Sequence, residues 1–154
     1  YTGMRDSEMI SMSYDDWSIG KDGRVMFTLR NTKNGKERKV PLLRAGEDVF
    51  RQYVKGRTSA LGVASSRWLF PRPKNRNEPI GRKTMEFHMR VLRKDLDLPQ
   101  LTCHAMRRFY VTNLMRMKID PLVIAQIVGH SDMRTFRLYY QPTADDLSGA
   151  LGSL

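Results

Sequence analysis

The stretch "RVMFTLRNTKNGKERKVPL", residues 24–42, decides the fold class because its pattern is that of a β-hairpin. Apolar residues alternate with polar ones on both sides of a turn. They are Val25, Phe27, Leu29, Val40 and Leu42. The turn itself holds Asn34-Gly35, the strongest short hairpin signal. We therefore predict a small antiparallel sheet over residues ~16–42.

Helical patterns flank this hairpin on both sides. Upstream, Thr2 is a candidate cap for a short helix that contains Met9, Ile10 and Met12. The downstream helices are predicted in "RAGEDVFRQYVKG" ending at Gly56, in "KTMEFHMRVLRKDLDL", in "TCHAMRRFYVTNLMRMK" capped by Thr102, and from the Asp120-Pro121 cap to Gly129. Residues 58–80 are predicted as a loop in which "WLF" is paired or buried. The expected fold is mainly α with one small antiparallel sheet near the N-terminus, an α+β class.

Two of these helices carry apolar residues that we expect to face the core. They are Met85, Phe87, Val91 and Leu92 in the first, and Met106, Phe109 and Val111 in the second. Beyond Gly129, Ser131 or Asp132 is expected to cap a helix that contains Tyr139 and Tyr140. Residues 143–154 are expected to form a C-terminal tail helix.

Composition limits the classes of protein that need to be considered. The chain has 154 residues with 27 Lys and Arg against 16 Asp and Glu, so its net charge is +11. Such a surface attracts polyanions, of which nucleic acid is the usual one, although a basic chain can also have no such partner. No apolar run is long enough for a membrane span, and the single Cys103 excludes an internal disulfide and a cysteine-built metal site. These features favour a cytoplasmic protein without membrane partners.

The candidate polar residues are each better explained by a structural role when taken singly. His104 and Arg107 lie three residues apart on one helix and so on a common face, which also describes a half-buried helix with solvated charges. Arg5 at a helix start can simply pair with Asp6 or Glu8.

His130, Lys33 and Lys36 also have ordinary structural explanations, whereas the tyrosine pair leaves two interpretations open. His130 follows a helix end, where a histidine can favour the helix dipole. Lys33 and Lys36 flank the turn, as lysines commonly do at solvated hairpin tips. The adjacent Tyr139 and Tyr140 are either packing residues or a nucleophile and its neighbour.

Taken together and in order, these segments resemble the tyrosine recombinase, or phage integrase, family. The resemblance rests on "TGMRDSE", a hairpin lysine, "HAMRR", "GH" and a tyrosine nine residues later, and it covers nearly the whole chain. It implies the catalytic-domain fold of that family. Residues 1–154 would then be one catalytic domain fragment, from which the N-terminal DNA-binding domain and the first catalytic-domain helix are absent.

The resemblance also implies residue roles. The six catalytic positions are Arg5, Lys33, His104, Arg107, His130 and Tyr139. Glu8 would support the arginines, and Tyr140 would be a packing or phosphate-contacting residue. We expect Lys36 and Arg108 to contact DNA. Two departures from the family pattern are Asp6, which could compete for the guanidinium of Arg5, and Phe136, where threonine is frequent.

The implied reaction is the cutting and rejoining of DNA through a covalent 3′-phosphotyrosine at Tyr139, without metal, cofactor or ATP. Arg5 and Arg107 would grip the phosphate with forked, always-charged donors, and His130 would add a further donor. Lys33 would protonate the departing 5′-oxygen. His104 would act as base or proton shuttle, because histidine is the residue type whose ordinary pKa lies closest to neutrality.

The implied partners are double-stranded DNA and further copies of the protein, with a homotetramer on paired sites and weak or no association without DNA. The tail helix would dock on a neighbouring copy or fold back in cis, or it would fray. The alternatives are a DNA-binding module without chemistry, suggested by a loose helix-turn-helix pattern in "IAQIVGHSDMRTFRLYY", and a type IB topoisomerase. A ribonuclease that uses His104 and His130 is a further alternative.

Overall fold

The computed structural model describes residues 2–30, 35–59 and 66–129. Its helices are α1 (Asp6–Ile10), α2 (Arg44–Ser59), α3 (Arg82–Asp95), α4 (Cys103–Arg116) and α5 (Pro121–Val128). Its strands are β1 (Trp17–Ile19), β2 (Val25–Leu29), β3 (Arg38–Pro41), β4 (Pro71–Arg72) and β5 (Asn75–Pro79). A 3-10 turn, Tyr14–Asp16, leads into β1. The mainly helical fold with a small antiparallel sheet near the N-terminus is confirmed.

The N-terminal sheet has the strand order β1-β2-β3, and both neighbouring pairs are antiparallel. Val25, Phe27 and Leu29 of the central strand β2 are buried, as their alternation predicted. The ring of Phe27 meets that of Phe50 on α2 edge to face, with 5.0 Å between the centroids. The predicted hairpin strands are therefore confirmed, whereas Asn34 at the turn lies outside the described residues.

Helix α2 does not end at Gly56, so that prediction is wrong; the helix continues to Ser59. The reason is the buried Arg57, which lies in the extra turn. Its Nη2 donates to the main-chain carbonyls of Ser66 and Trp68, at 2.8 and 2.6 Å. These tertiary contacts outweigh the weak helix propensity of glycine, which is about 1 kcal/mol less favourable than that of alanine.

A second antiparallel sheet, formed by β4 and β5, lies inside the segment 58–80 that we predicted as a loop. Its sequence "PRPKNRNEP" has no β-branched or aromatic residue, so propensity gave no signal for it. The prediction of a single sheet is therefore wrong. The expectation for "WLF" is confirmed, since Leu69 is fully buried and Trp68 forms a bridge with Ser13.

Helices α3 and α4 expose apolar residues that we expected to be buried. The exposed residues are Phe87, Val91 and Leu92 on α3, and Met106 and Phe109 on α4. Met85 is only partly buried, and the buried residue of α3 is Met89 instead. Val111 on α4 is buried as predicted. Periodicity shows which residues share a helix face, but not whether another element covers it. These five side chains remain 40–69% exposed.

Helices α4 and α5 pack together around a second core cluster. It consists of Tyr110, Val111, Leu114, Met115, Ile124, Ala125 and Val128. The Thr102 hydroxyl accepts the main-chain N–H of Ala105 at 2.9 Å and Asp120 accepts that of Leu122 at 2.7 Å, which confirms both predicted caps. Gly129 ends α5 in the left-handed region with φ +67°. Within the described ranges, no helix combines the length and apolar character that crossing a membrane requires.

Candidate active site

Three arginines from different elements meet at the C-terminal end of α5. Each donates to the main-chain carbonyl of one of three consecutive residues. The pairs are Arg38 Nε with Ile127 at 2.9 Å, Arg107 Nη2 with Val128 at 2.6 Å, and Arg5 Nη2 with Gly129 at 3.0 Å. A helix leaves its last carbonyls without intrahelical partners and with partial negative charge, which guanidinium groups can satisfy. The arginines therefore cap α5 and are themselves fixed by it.

Glu8 joins two of these arginines through its buried carboxylate. Oε1 accepts Nη1 of Arg5 at 2.8 Å and Nη1 of Arg38 at 2.9 Å. Oε2 accepts Nη2 of Arg38 and the main-chain N–H of Arg5, both at 2.8 Å. Burial by itself would raise the pKa of Glu8, but the hydrogen bonds and charge of Arg38, with the bonds from Arg5, outweigh it and lower that pKa. We call Arg5, Glu8, Arg38 and Arg107 the arginine cluster.

Arg107 is the deepest arginine of the cluster, with 6% of its surface exposed. Besides Val128, its guanidinium binds the main-chain carbonyl of Gly3 through Nη1. Gly3 has φ +63°, and a Cβ at this position would lie 2.4 Å from Cδ1 of Tyr110. Only glycine permits this close approach, so Gly3 helps to bring the N-terminal segment onto α4.

His104 lies one turn before Arg107 on α4, where the sequence predicted it. Its side chain is exposed, whereas Arg107 is buried. A common helix face therefore does not mean a common depth here. The exposed imidazole is accessible to a substrate, and its role as base stays a prediction.

The start of α1 differs from the prediction in two contacts. The N-terminal cap residue of α1 is Arg5 and not Thr2. The carboxylate of Glu8 accepts the main-chain N–H of Arg5. Asp6 pairs with Arg82 at 3.4 Å and not with Arg5, so the expected competition for the guanidinium is absent among the described contacts. The side chain of Arg5 remains 26% exposed, which leaves it accessible from solvent.

Several predicted positions lie outside the described residues. They are Lys33, the cap candidates Ser131 and Asp132, Phe136, His130, Tyr139, Tyr140 and the tail 143–154. Their predicted places and roles stay predictions. The two predicted DNA contacts, Lys36 and Arg108, are both exposed.

Arg38 was not singled out from the sequence, although a signal for it exists. Side chains alternate along a strand, so Arg38 has the same parity as the apolar Val40 and Leu42. In the sheet it pairs with the buried Leu29 of β2. An arginine on the inward face of a strand needs buried acceptors, so the alternation predicts that Arg38 has such partners without identifying them.

Comparisons with known proteins agree with this fold and this residue order. Residues 1–145 match the model of the Phage integrase family. The chain is 30% identical over 141 residues to tyrosine recombinase XerD of Vibrio vulnificus (strain YJ016), which covers 90% of this chain and 44% of XerD.

Two solved structures share the fold. The crystal structure of XerA recombinase matches with a TM-score of 0.77 and 22% identity over 99% of this chain and 52% of that one. XerH site-specific recombinase bound to its difH substrate, in a pre-cleavage complex, matches with a TM-score of 0.77 and 19% identity over 98% of this chain and 43% of that one. The chain spans about half the length of the curated relatives it matches. Because the family model matches nearly its whole length, this chain belongs to the phage integrase family.

Proposed function

We propose that this chain is the catalytic region of a site-specific DNA recombinase that cuts and rejoins strands through a covalent 3′-phosphotyrosine. The observation that carries the proposal is the meeting of Arg5 and Arg107 at one helix end, in a chain of the phage integrase family. The two residues are 102 positions apart in sequence, and Arg5 caps α1 whereas Arg107 lies on α4. The net charge of +11 supports DNA as the substrate.

The arginine pair suits the charge that develops during phosphoryl transfer. Attack on a phosphodiester builds negative charge on the non-bridging oxygens, and forked guanidinium donors match those oxygens. The contacts of Arg5 with described side chains and carbonyls occupy two of its five guanidinium N–H groups. A phosphate oxygen would take donors that these contacts do not use. One preorganised donor of this kind contributes about 2.7–4 kcal/mol to lowering the barrier.

The proposed steps conserve atoms and charge. The hydroxyl oxygen of Tyr139 bonds to phosphorus, and its proton passes to His104. The bond from phosphorus to the 5′-oxygen breaks, and Lys33 protonates that oxygen, while His130 donates to the phosphate. The reverse sequence rejoins a strand, so the energy stays in the phosphotyrosine bond and neither ATP nor a metal ion enters the proposed scheme.

The proposed partners are double-stranded DNA, contacted by Lys36 and Arg108 among others, and three further copies of the protein on paired sites. Each neutralised phosphate should contribute about −0.9 to the slope of log K against log salt. The DNA affinity of the full-length protein should therefore fall steeply as salt rises. A flat response would contradict DNA as the partner of the basic surface.

The test is covalent capture on DNA. The full-length protein is incubated with a pool of nicked duplexes of randomised sequence, in which a short fragment diffuses away after cleavage and traps the adduct. Sequencing of the trapped duplexes identifies the site, and peptide mapping should place the phosphotyrosine at 139. The Tyr139→Phe variant should bind DNA but form no adduct, whereas Tyr140→Phe should still form one.

The alternatives give different outcomes in the same assay. DNA binding without any adduct would indicate a binding module. An adduct together with relaxation of a plasmid that lacks paired sites would indicate a topoisomerase. RNA cleavage that survives Tyr139→Phe would indicate a ribonuclease.

A further inference from the structure

Arg38, the first residue of β3, takes no part in the reaction steps proposed above. Its contacts nevertheless connect Glu8, on α1, with the C-terminal end of α5. Its Nη1 and Nη2 bind both carboxylate oxygens of Glu8, at 2.9 and 2.8 Å. Its Nε binds the main-chain carbonyl of Ile127 at 2.9 Å. The side chain is 10% exposed, so these bonds form in a largely water-excluded place.

The shape of this contact set requires an arginine. A guanidinium presents its donors in a rigid planar fork, which lets it bind a carboxylate with two atoms while a third points elsewhere. The close packing at Gly129 adds a constraint, because a Cβ there would lie 2.8 Å from Cζ of Arg38. A lysine at this position could bind one carboxylate oxygen, but it could not bind Ile127 at the same time.

Both partners of Arg38 lead to Arg5. Glu8 accepts the Nη1 of Arg5, and the carbonyl of Gly129, two residues after Ile127, accepts the Nη2 of Arg5. Arg38 therefore sets the position of each of the two acceptors that orient the Arg5 guanidinium. The chain then continues from Gly129 directly to His130.

We propose that Arg38 is a positioning residue for DNA cleavage, which holds Glu8 and the end of α5 so that Arg5 is oriented for the scissile phosphate; this rests on the proposed function. Arg38 does not touch the phosphate in this scheme, since its fork is engaged by Glu8 and Ile127. It acts through Arg5. A purely structural role would instead change the fraction of folded protein and leave the reactivity of folded molecules unchanged.

Single-turnover cleavage of the selected nicked duplex separates these two roles. The amplitude reports the fraction of active molecules, and the rate constant reports how well the site is arranged. We expect Arg38→Gln to lower the rate constant about 10- to 100-fold, because misplacement of a reacting group by about 1 Å can cost 100-fold. The DNA dissociation constant should change less than about twofold, because Arg38 is not a phosphate contact in this scheme.

Two further variants make the test decisive. Arg38→Lys keeps the charge that offsets Glu8 and should fold, with a rate constant between those of Arg38→Gln and the wild type. Arg24→Gln is the matched control, because it also removes one arginine beside the same sheet. The side chain of Arg24 is 43% exposed and pairs with the exposed Asp22. This variant should leave the rate constant unchanged.

A double variant tests the route through Glu8. If Arg38 and Glu8 act as one unit, Glu8→Gln combined with Arg38→Gln should cleave about as slowly as the slower single variant. The positioning role is overturned if the double variant is slowed by the product of the two single effects. It is also overturned if folded Arg38→Lys and Arg38→Gln cleave with the wild-type rate constant. In both cases a Tyr139 adduct in the wild type leaves the proposed function intact. Absence of the wild-type adduct would overturn the proposed function as well.

Discussion

The arginine cluster and the exposed residues of α3 and α4 invert the usual distribution of side chains. In the cluster, Glu8 and Arg107 are buried at 3% and 6% exposure, while on the outer helices Phe87 and Phe109 are 53% and 69% exposed. The cluster can be buried because its carboxylate and guanidinium groups are hydrogen-bonded to each other or to main-chain carbonyls. Burial therefore follows the available partners, and not polarity alone.

The largest expected effect lies in the cluster. Arg107→Lys keeps the charge, but a lysine ammonium cannot reproduce the forked geometry with which the guanidinium binds Gly3 and Val128. We expect the cleavage rate constant to fall about 100- to 1000-fold, the loss associated with one transition-state donor. Arg5→Lys should act in the same direction. Single-turnover cleavage measures both effects.

The control on the same helix is Arg116→Lys, since Arg116 is exposed at the end of α4. It should cleave like the wild type. Near-normal cleavage by Arg107→Lys or Arg5→Lys would show that the position is only a phosphate anchor.

Removal of the carboxylate at the centre of the cluster should lower the stability of the fold in addition to slowing cleavage. Glu8→Ala leaves the guanidinium groups of Arg5 and Arg38 without their anion, and breaking a buried pair in this way costs about 3–5 kcal/mol. Arg5 is partly exposed, so we expect the lower end of that range in the free energy of unfolding. Chemical denaturation measures the change. A loss below about 1 kcal/mol, as is usual for exposed ion pairs, would contradict the burial seen here.

The pH dependence of stability tests whether the Glu8 carboxylate is ionised in the folded chain. Because the pKa of Glu8 is lowered below its usual 4.5 in the folded chain, its stabilising contribution is complete above that value and is lost as pH falls through the lowered pKa. The charged groups that face the Glu8 carboxylate are the guanidinium groups of Arg5 and Arg38. Glu8→Gln should therefore flatten the curve of stability against pH on the acid side. An unchanged acid slope would count against an ionised Glu8.

A smaller effect is expected at the glycine that ends α5. Gly129→Ala adds a Cβ both at φ +67° and at 2.8 Å from the guanidinium carbon of Arg38. Gly23→Ala is the matched control, since its φ is +77° and its Cβ would meet nothing within 4 Å. Both should cost about 1 kcal/mol for the backbone strain, and Gly129→Ala should cost about 1–2 kcal/mol more. If both variants lose the same stability in thermal unfolding, the side chain of Arg38 can move away from the added Cβ at no cost.

The smallest effect is expected on the exposed side. Phe109→Ala should change the free energy of unfolding by less than about 0.5 kcal/mol, because the side chain is 69% exposed and buries little apolar surface. Leu114→Ala, on the same helix but 5% exposed, should cost about 2–5 kcal/mol. A large loss for Phe109→Ala in the full-length protein would mean that another segment covers this residue there.

The sequence predicted those features that depend on local pattern. The alternation in β2, the Thr102 and Asp120 caps and the stop at Gly129 are all confirmed, because each is decided within a few neighbouring residues. The family resemblance correctly identified the family from the order of its motifs.

The features that were missed depend on contacts distant in sequence. The extra turn of α2 rests on the bonds of Arg57 to the carbonyls of Ser66 and Trp68, which precede β4. The contacts of Arg38 include the carbonyl of Ile127, 89 residues away. Exposure of Phe109 depends on which elements lie nearby, and helical periodicity carries no information on that.

The span of the cluster also has a consequence for how the protein is made. Arg5 binds the carbonyl of a residue 124 positions further along the chain, and Arg107 binds one 104 positions earlier. Ribosomes add about 5–20 residues per second, so the N-terminal arginine is synthesised roughly ten seconds before its partner at the end of α5. Closing so long a loop is slow and entropically costly compared with forming a helix. A nascent or prematurely terminated chain that ends before Ile127 therefore lacks the carbonyls that complete the arginine cluster.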